Sequence, residues 1–169
     1  MSAIPLPTVD QVREIPAATE QDVLQEFIDE NLHMNIQHYL VLGATALGAR
    51  CDDLGLGQDY IDSRRLTVFT AEHHIRYYAE MTLGQELSVH VRLLERSSKV
   101  IHAMAFLVNR SDNVLACTLE VTLVHVGMDT RRPVDFPDDI AERLDAALKE
   151  QSDLDWPAPV CRSMGVRRR

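Results

Sequence analysis

Aromatic residues are scarce, 5% of the 169 residues, so a core must be assembled from Ala, Leu, Val and Gly rather than from stacked rings. There are three cysteines, Cys51, Cys117 and Cys161, far apart and in no CxxC or Cys/His ligand pattern. That excludes a disulfide framework and a structural zinc motif, and places the chain in a reducing cytoplasm. Positive charge is also short: 17 Lys and Arg against 26 Asp and Glu leave a formal charge of −9. A nucleic-acid binder needs a basic face, so none is expected as a partner. No Gly-x-Gly-x-x-Gly or Walker sequence occurs, since Gly55-Leu56-Gly57 has no third glycine and follows a helix, and no Gly-x-Ser-x-Gly elbow is present. The longest nearly apolar run, Leu40 to Ala49, is about half a membrane span, and Met-Ser-Ala-Ile-Pro-Leu-Pro does not read as a signal peptide. Neither membrane insertion nor secretion is expected.

What remains is a chain with 46% hydrophobic and 25% charged residues, long enough for one domain. Residues 1–20 carry three prolines and read as an irregular lead-in, with a helical turn near Val9 to Glu14. Val23 to Ile28 is a short strand candidate that ends in Asp29-Glu30-Asn31. From Asn35 the spacing Ile36, Leu40, Gly43, Leu47 predicts a helix that ends by Gly55 to Gly57. Between Leu40 and Ala49 only Thr45 is polar, so this helix should be covered on nearly every side, with Gly43 and Gly48 admitting a sheet closely.

Four strands follow, Leu66 to Glu80, Glu86 to Arg96, Val100 to Arg110 and Val114 to Val126, joined by short links that predict a four-strand antiparallel meander. Leu87, Val89, Val91 and Leu93 alternate with Ser88, His90 and Arg92, which predicts one buried and one wet face. On the first of the four strands, Thr70, Glu72, His74, Arg76 and Tyr78 fall on one face and His73 on the other. Pro137-Asp138-Asp139 opens an amphipathic helix carrying Ile140, Leu144 and Leu148, and residues 151–169 read as a flexible basic tail ending in Arg167-Arg168-Arg169.

The densest polar cluster, Asp29 to Asn35, lies where a strand ends and the apolar helix begins. Free N–H groups and the positive end of the helix dipole there stabilise a developing oxyanion, and a carboxylate in the same turn can attack a carbonyl or activate water. A plainer alternative makes Asn35 an N-cap, Asp29 a solvated turn residue and His33 a packing histidine. Cys51 and Cys117 lie in apolar surroundings and read as packing residues. No metal is expected, because His73 and His74 point to opposite faces, and His33 and His38 do not make a His-Glu-x-x-His pattern.

Asp29-x-x-Leu-His-Met-Asn-x-x-x-Tyr39 resembles the Asp-x-x-Gly-His-x-Asn-x-x-x-Tyr signature of hotdog-fold acyl-CoA thioesterases of the 4-hydroxybenzoyl-CoA thioesterase type. Phe69 to Tyr77, Leu83-Gly84-Gln85-Glu86-Leu87 and Asp129-Thr130-Arg131-Arg132-Pro133 extend the likeness over about residues 20 to 140. It implies an α+β hotdog fold at residues 21–150, an antiparallel sheet of five to six strands wrapped around a long central helix. It also implies Asp29 as nucleophile or general base, the Ile36 N–H as oxyanion donor, and His33 and Asn35 as residues that shape the site. Tyr39, Glu72 and His74 are candidate substrate contacts, and Arg65, Arg96 and Lys99 candidate contacts to coenzyme A phosphates. Exposed sheet edges and the resemblance imply a homodimer or homotetramer with sites between subunits, acting on acyl-CoA without a cofactor. Leu32 stands where the family has glycine, so a positive φ there would be costly. Two alternatives stay open: a non-catalytic acyl-CoA or acyl-carrier binding protein, and an enoyl-CoA hydratase, whose Asp-x-Asn-Pro-x-His pattern is met only by Asp29 and Asn31.

Overall fold

The apolar run forms the middle of a long helix lying against one face of a curved sheet. The computed structural model describes residues 4–166 and contains α1 (Val9–Arg13), β1 (Ala17–Asp22), α2 (Ile36–Asp53), α3 (Gln58–Arg64), β2 (Leu66–Tyr77), β3 (Glu86–Arg96), β4 (Val100–Asn109), β5 (Val114–Gly127) and α4 (Asp138–Gln151). The five strands are antiparallel neighbours in the order β1-β3-β4-β5-β2, an α+β hotdog arrangement. The terminal arginine triplet lies outside the described residues.

Several expectations change. The lead-in is ordered: α1 is closed by a capping box at Thr8, and β1, not Val23 to Ile28, is the first strand. Residues 25–27 form a single 3₁₀ turn instead, and the loop before β2 contains α3. Only β3, β4 and β5 form a meander. The link after β2 leaves the sheet and crosses to its far side, its backbone paired with other segments: Tyr78 N–H donates to Ala116 O, Met34 N–H to Met81 O, and Gly84 N–H to Val23 O. A short link therefore joins β2, at one edge of the sheet, to β3, which lies just inside the other edge strand, β1.

Two apolar layers sandwich the sheet. On the inner side α2 packs through Tyr39, Leu42, Ala46, Leu47 and Cys51 against Leu107, Leu119 and Val121. Gly43 is needed here, since a Cβ would come within 2.9 Å of Leu119 Cδ2, while Gly48 faces open space. α2 is not covered all round: Ile36 and Val41 are 62% and 57% exposed. On the outer side the face expected to be wet is roofed by α1 and by residues after α4. Val9, Val12, Ile15, Phe106 and Trp156 form a second core, and Ser88 and His90 are buried beneath it. The segment read as a loose tail is thus packed: Arg92 donates to Trp156 O at 2.7 Å and lies over its ring.

Two buried histidines pin loops to the sheet. His90 Nδ1 lies 2.6 Å from Ile15 O and His125 Nδ1 lies 2.9 Å from Val134 O. A carbonyl only accepts, so each ring carries its proton on Nδ1, and Nε2 is left to meet Ser88 and Tyr60 hydroxyls at 2.9 and 2.8 Å. Burial, outweighing the carbonyl contacts, holds both below the ordinary 6.5. The unfolded chain therefore takes up these protons first, so stability is full above about pH 6.5 and falls as the pH drops toward the folded-state values. Thermal unfolding followed from about pH 8 to about pH 5 shows this as a falling Tm, with a shallower slope in His125→Gln; a Tm independent of pH across that window would contradict it.

Candidate active site

The polar cluster is a tight loop at the mouth of α2. Ile28 bridges Met34, Asp29 N–H donates to His33 O at 3.1 Å, and Leu32 N–H donates to Asp29 O at 3.0 Å. Leu32 has φ +66, so it takes a left-handed conformation at the position where the family signature has glycine, with its side chain 78% exposed. The strain, about 1–2 kcal/mol for a non-glycine residue, is carried without breaking the loop. Leu32→Gly should therefore cost no stability, relief of strain offsetting the added chain entropy. Leu32→Val should lower Tm, because branching at Cβ crowds this conformation further. Equal Tm values for the two variants would show that the loop stores no strain at this position.

Asp29 is held from both sides. Its Oδ1 accepts from Asn31 N–H at 2.9 Å and its Oδ2 from Asn35 Nδ2 at 3.0 Å, while His33 Nδ1 stands 4.0 Å away. The Asn31 N–H, aided by Asn35 and His33 against partial burial, holds this carboxyl below the usual carboxylate value. Asn35 also caps α2, its Oδ1 accepting from Gln37 N–H at 3.1 Å. One side chain therefore both caps α2 and holds Asp29. Ile36 N–H, the first of the helix, has no acceptor among the described residues, so an open donor follows directly on the asparagine that holds the carboxylate.

A shallow cavity of about 230 Å³ opens next to this loop, lined by His33, Ile36, Tyr39, Tyr77, Tyr78 and Glu80 among others. Tyr39 meets Tyr77 edge to face, ring centroids 5.3 Å apart, and burial pushes its hydroxyl up to about 12, so it stays neutral. Tyr77, Tyr78 and Glu80 were not among the residues singled out from sequence. They come to the site because β2 ends there, and no local spacing signals that.

The remaining candidates lie elsewhere in the chain. A bulge at Ala71 shifts the phase of β2, so Thr70 joins Val68 and His73 on the helix side, and Thr70 does not share a face with Glu72 and His74. His74 lies on the outer face near Glu120, and Glu72 is exposed. Arg65, Arg96 and Lys99 cluster at the opposite end of the sheet, where Arg65 pairs with Asp129, Arg96 with Asp145 and Lys99 with Asp135. Arg96 ends a strand whose start adjoins the Met81 link, about 30 Å of extended chain away. Burial pushes the Cys51 and Cys117 thiols up to about 11 and about 12, which suits packing residues and not nucleophiles.

A helix-start donor and a restrained carboxylate, presented by a curled sheet around one long helix, define a hotdog thioesterase layer. The chain belongs to the thioesterase-like superfamily, whose family model matches residues 23–144. It is 29% identical over 148 residues to a betainyl-CoA thioesterase of Pseudomonas aeruginosa, covering 87% of this chain and 92% of that protein. An L-carnitine dehydrogenase/betainyl-CoA thioesterase of Agrobacterium fabrum is 30% identical over 141 residues; the match takes in 83% of this chain and only 28% of that longer protein. Among solved structures, a Staphylococcus aureus protein in complex with CoA aligns at TM-score 0.80 with 27% identity, over 88% of this chain and 94% of that one. A 1,4-dihydroxy-2-naphthoyl-CoA thioesterase from Synechocystis shares the fold at TM-score 0.66 and 16% identity, over 82% and 97% of the two chains.

Proposed function

We propose that this chain is an acyl-CoA thioesterase that works through Asp29 on a small, positively charged acyl group. The observation that carries the reading is the Asp29 carboxylate, held ionised by Asn31 and Asn35 beside the open Ile36 N–H. An Asp29 oxygen attacks the thioester carbon, the carbonyl oxygen gains negative charge against the helix start, and the carbon–sulfur bond breaks. The departing thiolate, of a thiol with pKa near ~8.5, takes its proton from solvent, and water then hydrolyses the acyl–Asp29 anhydride. His33 borders the carboxylate, and Asn35 orients it.

The acyl preference is supported by the cavity itself. Three tyrosines and the Glu80 carboxylate line it, and no Lys or Arg does. Aromatic faces and a carboxylate are what a quaternary ammonium prefers, and the Pseudomonas and Agrobacterium relatives are both betainyl-CoA thioesterases by name. Comparing betainyl-CoA with 3,3-dimethylbutyryl-CoA, the same shape with carbon in place of the cationic nitrogen, isolates the charge. A preference of about tenfold or more in kcat/KM is expected for the cation, from cation–π contacts worth roughly 0.5–2 kcal/mol with Glu80 adding to them. Equal kcat/KM for the two would overturn the charge preference and leave the hydrolysis standing.

A second copy completes the site. β2 is an edge strand with Phe69 and Tyr77 exposed, and Ile36 and Val41 lie bare on α2 beside an apolar groove of about 450 Å³ between α2 and β2. Exposed edges and apolar helix faces of this kind are normally covered, and a dimer or tetramer through them puts the cavity next to the Asp29 loop against a partner. In that assembly Glu72, Arg65, Arg96 and Lys99 approach a site from the neighbouring subunit. No described helix is long and apolar enough to cross a membrane. Three cysteines, all unpaired, support a cytoplasmic setting.

A further inference from the structure

Beneath the C-terminal segment, on the sheet face away from α2, lies a cluster that thioester chemistry does not use. Glu120, on β5, is 1% exposed in a strip of otherwise apolar and hydroxyl residues. It stands directly across from His74 on β2, and Cys161 descends onto it from the segment after α4. One donor atom from each of His74, Glu120 and Cys161 lies within 4.8 Å of the other two. We propose that these three side chains form a binding site for a thiophilic divalent cation of the zinc class, with a fourth position open to water.

The donor set is one nitrogen, one oxygen and one sulfur, which suits zinc and disfavours calcium or magnesium. Tetrahedral zinc holds such atoms about 3.3–3.8 Å apart, so the cluster needs to close by about 1 Å. His74 and Cys161 are only part-buried, and the ion would replace the contact of 3.1 Å between Cys161 Sγ and Ser163 Oγ, whereas Glu120 is fixed. Its Oε1 accepts from His102 Nε2 at 2.9 Å and its Oε2 from Cys161 N–H at 2.7 Å. Each oxygen keeps a further lone pair for a metal, and the two donors act as the outer contacts that orient a ligating carboxylate. His102 is itself backed by Glu95, 3.4 Å from its Nδ1, and Glu95 accepts from Val166 N–H at 2.9 Å. The ion would therefore fasten the C-terminal segment to the sheet through a ligand that segment supplies. The expectation of no metal rested on ligand spacing in sequence, and a site drawn from residues 74, 120 and 161 has no such spacing. This inference is independent of the thioesterase reading.

The test is a titration of the full, chelator-treated chain with Co²⁺, which reports a thiolate ligand by near-ultraviolet charge-transfer absorption. One equivalent is expected to bind with that absorption, to be displaced by Zn²⁺, and to raise Tm. Cys161→Ser should abolish the absorption and His74→Ala should weaken binding by about tenfold or more, while Cys51→Ser should change neither. Both altered side chains are part-buried, so thermal unfolding of the metal-free variants verifies that they fold. Absence of the absorption in the parent chain, or its survival in Cys161→Ser, would overturn the proposal.

Discussion

Asp29→Asn lowers the rate of thiol release by about 10²- to 10⁴-fold while leaving KM and Tm close to those of the parent. The amide keeps an oxygen for the Asn31 N–H and so holds the loop, though it gives up the contact from Asn35 Nδ2, and it cannot carry the negative charge that attacks the thioester. Loss therefore falls on kcat. The same geometry fixes the acid limb of the pH profile. Asn31, Asn35 and His33 hold Asp29 below its ordinary 3.8, so kcat/KM holds as the pH is lowered until that depressed value is reached. An acid limb near neutral pH would assign the rate to another group. In single-turnover reactions in ¹⁸O water, label in Asp29 marks carboxylate attack followed by addition of water at the Asp29 carbonyl of the anhydride, whereas activation of water puts label in the acid product alone.

Ala44→Glu yields a folded monomer with little activity. Ala44 is exposed in this chain where it lines the groove between α2 and β2, so glutamate keeps its carboxylate in water within the fold and suits a helix. In an assembly that covers this face, the same carboxylate is buried without a partner, at a cost of several kcal/mol per ion. Sedimentation should show dissociation, circular dichroism an intact fold, and thiol release a loss of at least about tenfold as the cavity loses its opposing wall. An unchanged oligomer with full activity would place the interface elsewhere.

The central helix, the later strands and the Asp29 to Asn35 loop could be derived from sequence because each is a local pattern. Apolar periodicity marked α2, alternation marked β3, and an acid beside a helix-capping asparagine marked the candidate site. What escaped was set by tertiary contacts. β1 runs Ala-Ala-Thr-Glu-Gln-Asp and has no strong apolar signal, yet it pairs with β3 because that edge is open. Ser88 and His90 read as solvent-facing because nothing nearby in sequence foretells that α1 and Trp156 cover them. The bulge at Ala71 inverted the faces of β2, and one extra residue of this kind leaves no mark in composition. Leu32 was the reverse case: its cost was foreseen, and the loop bears it.

Betainyl-CoA mixed with the purified chain and followed by a thiol-reactive dye tests the central claim most directly, with crotonyl-CoA absorbance measured in parallel. The expected result is stoichiometric release of free thiol over repeated turnovers by the parent chain, and almost none by Asp29→Asn. Saturable CoA binding without thiol release, or loss of enoyl absorbance with no thiol freed, would contradict it.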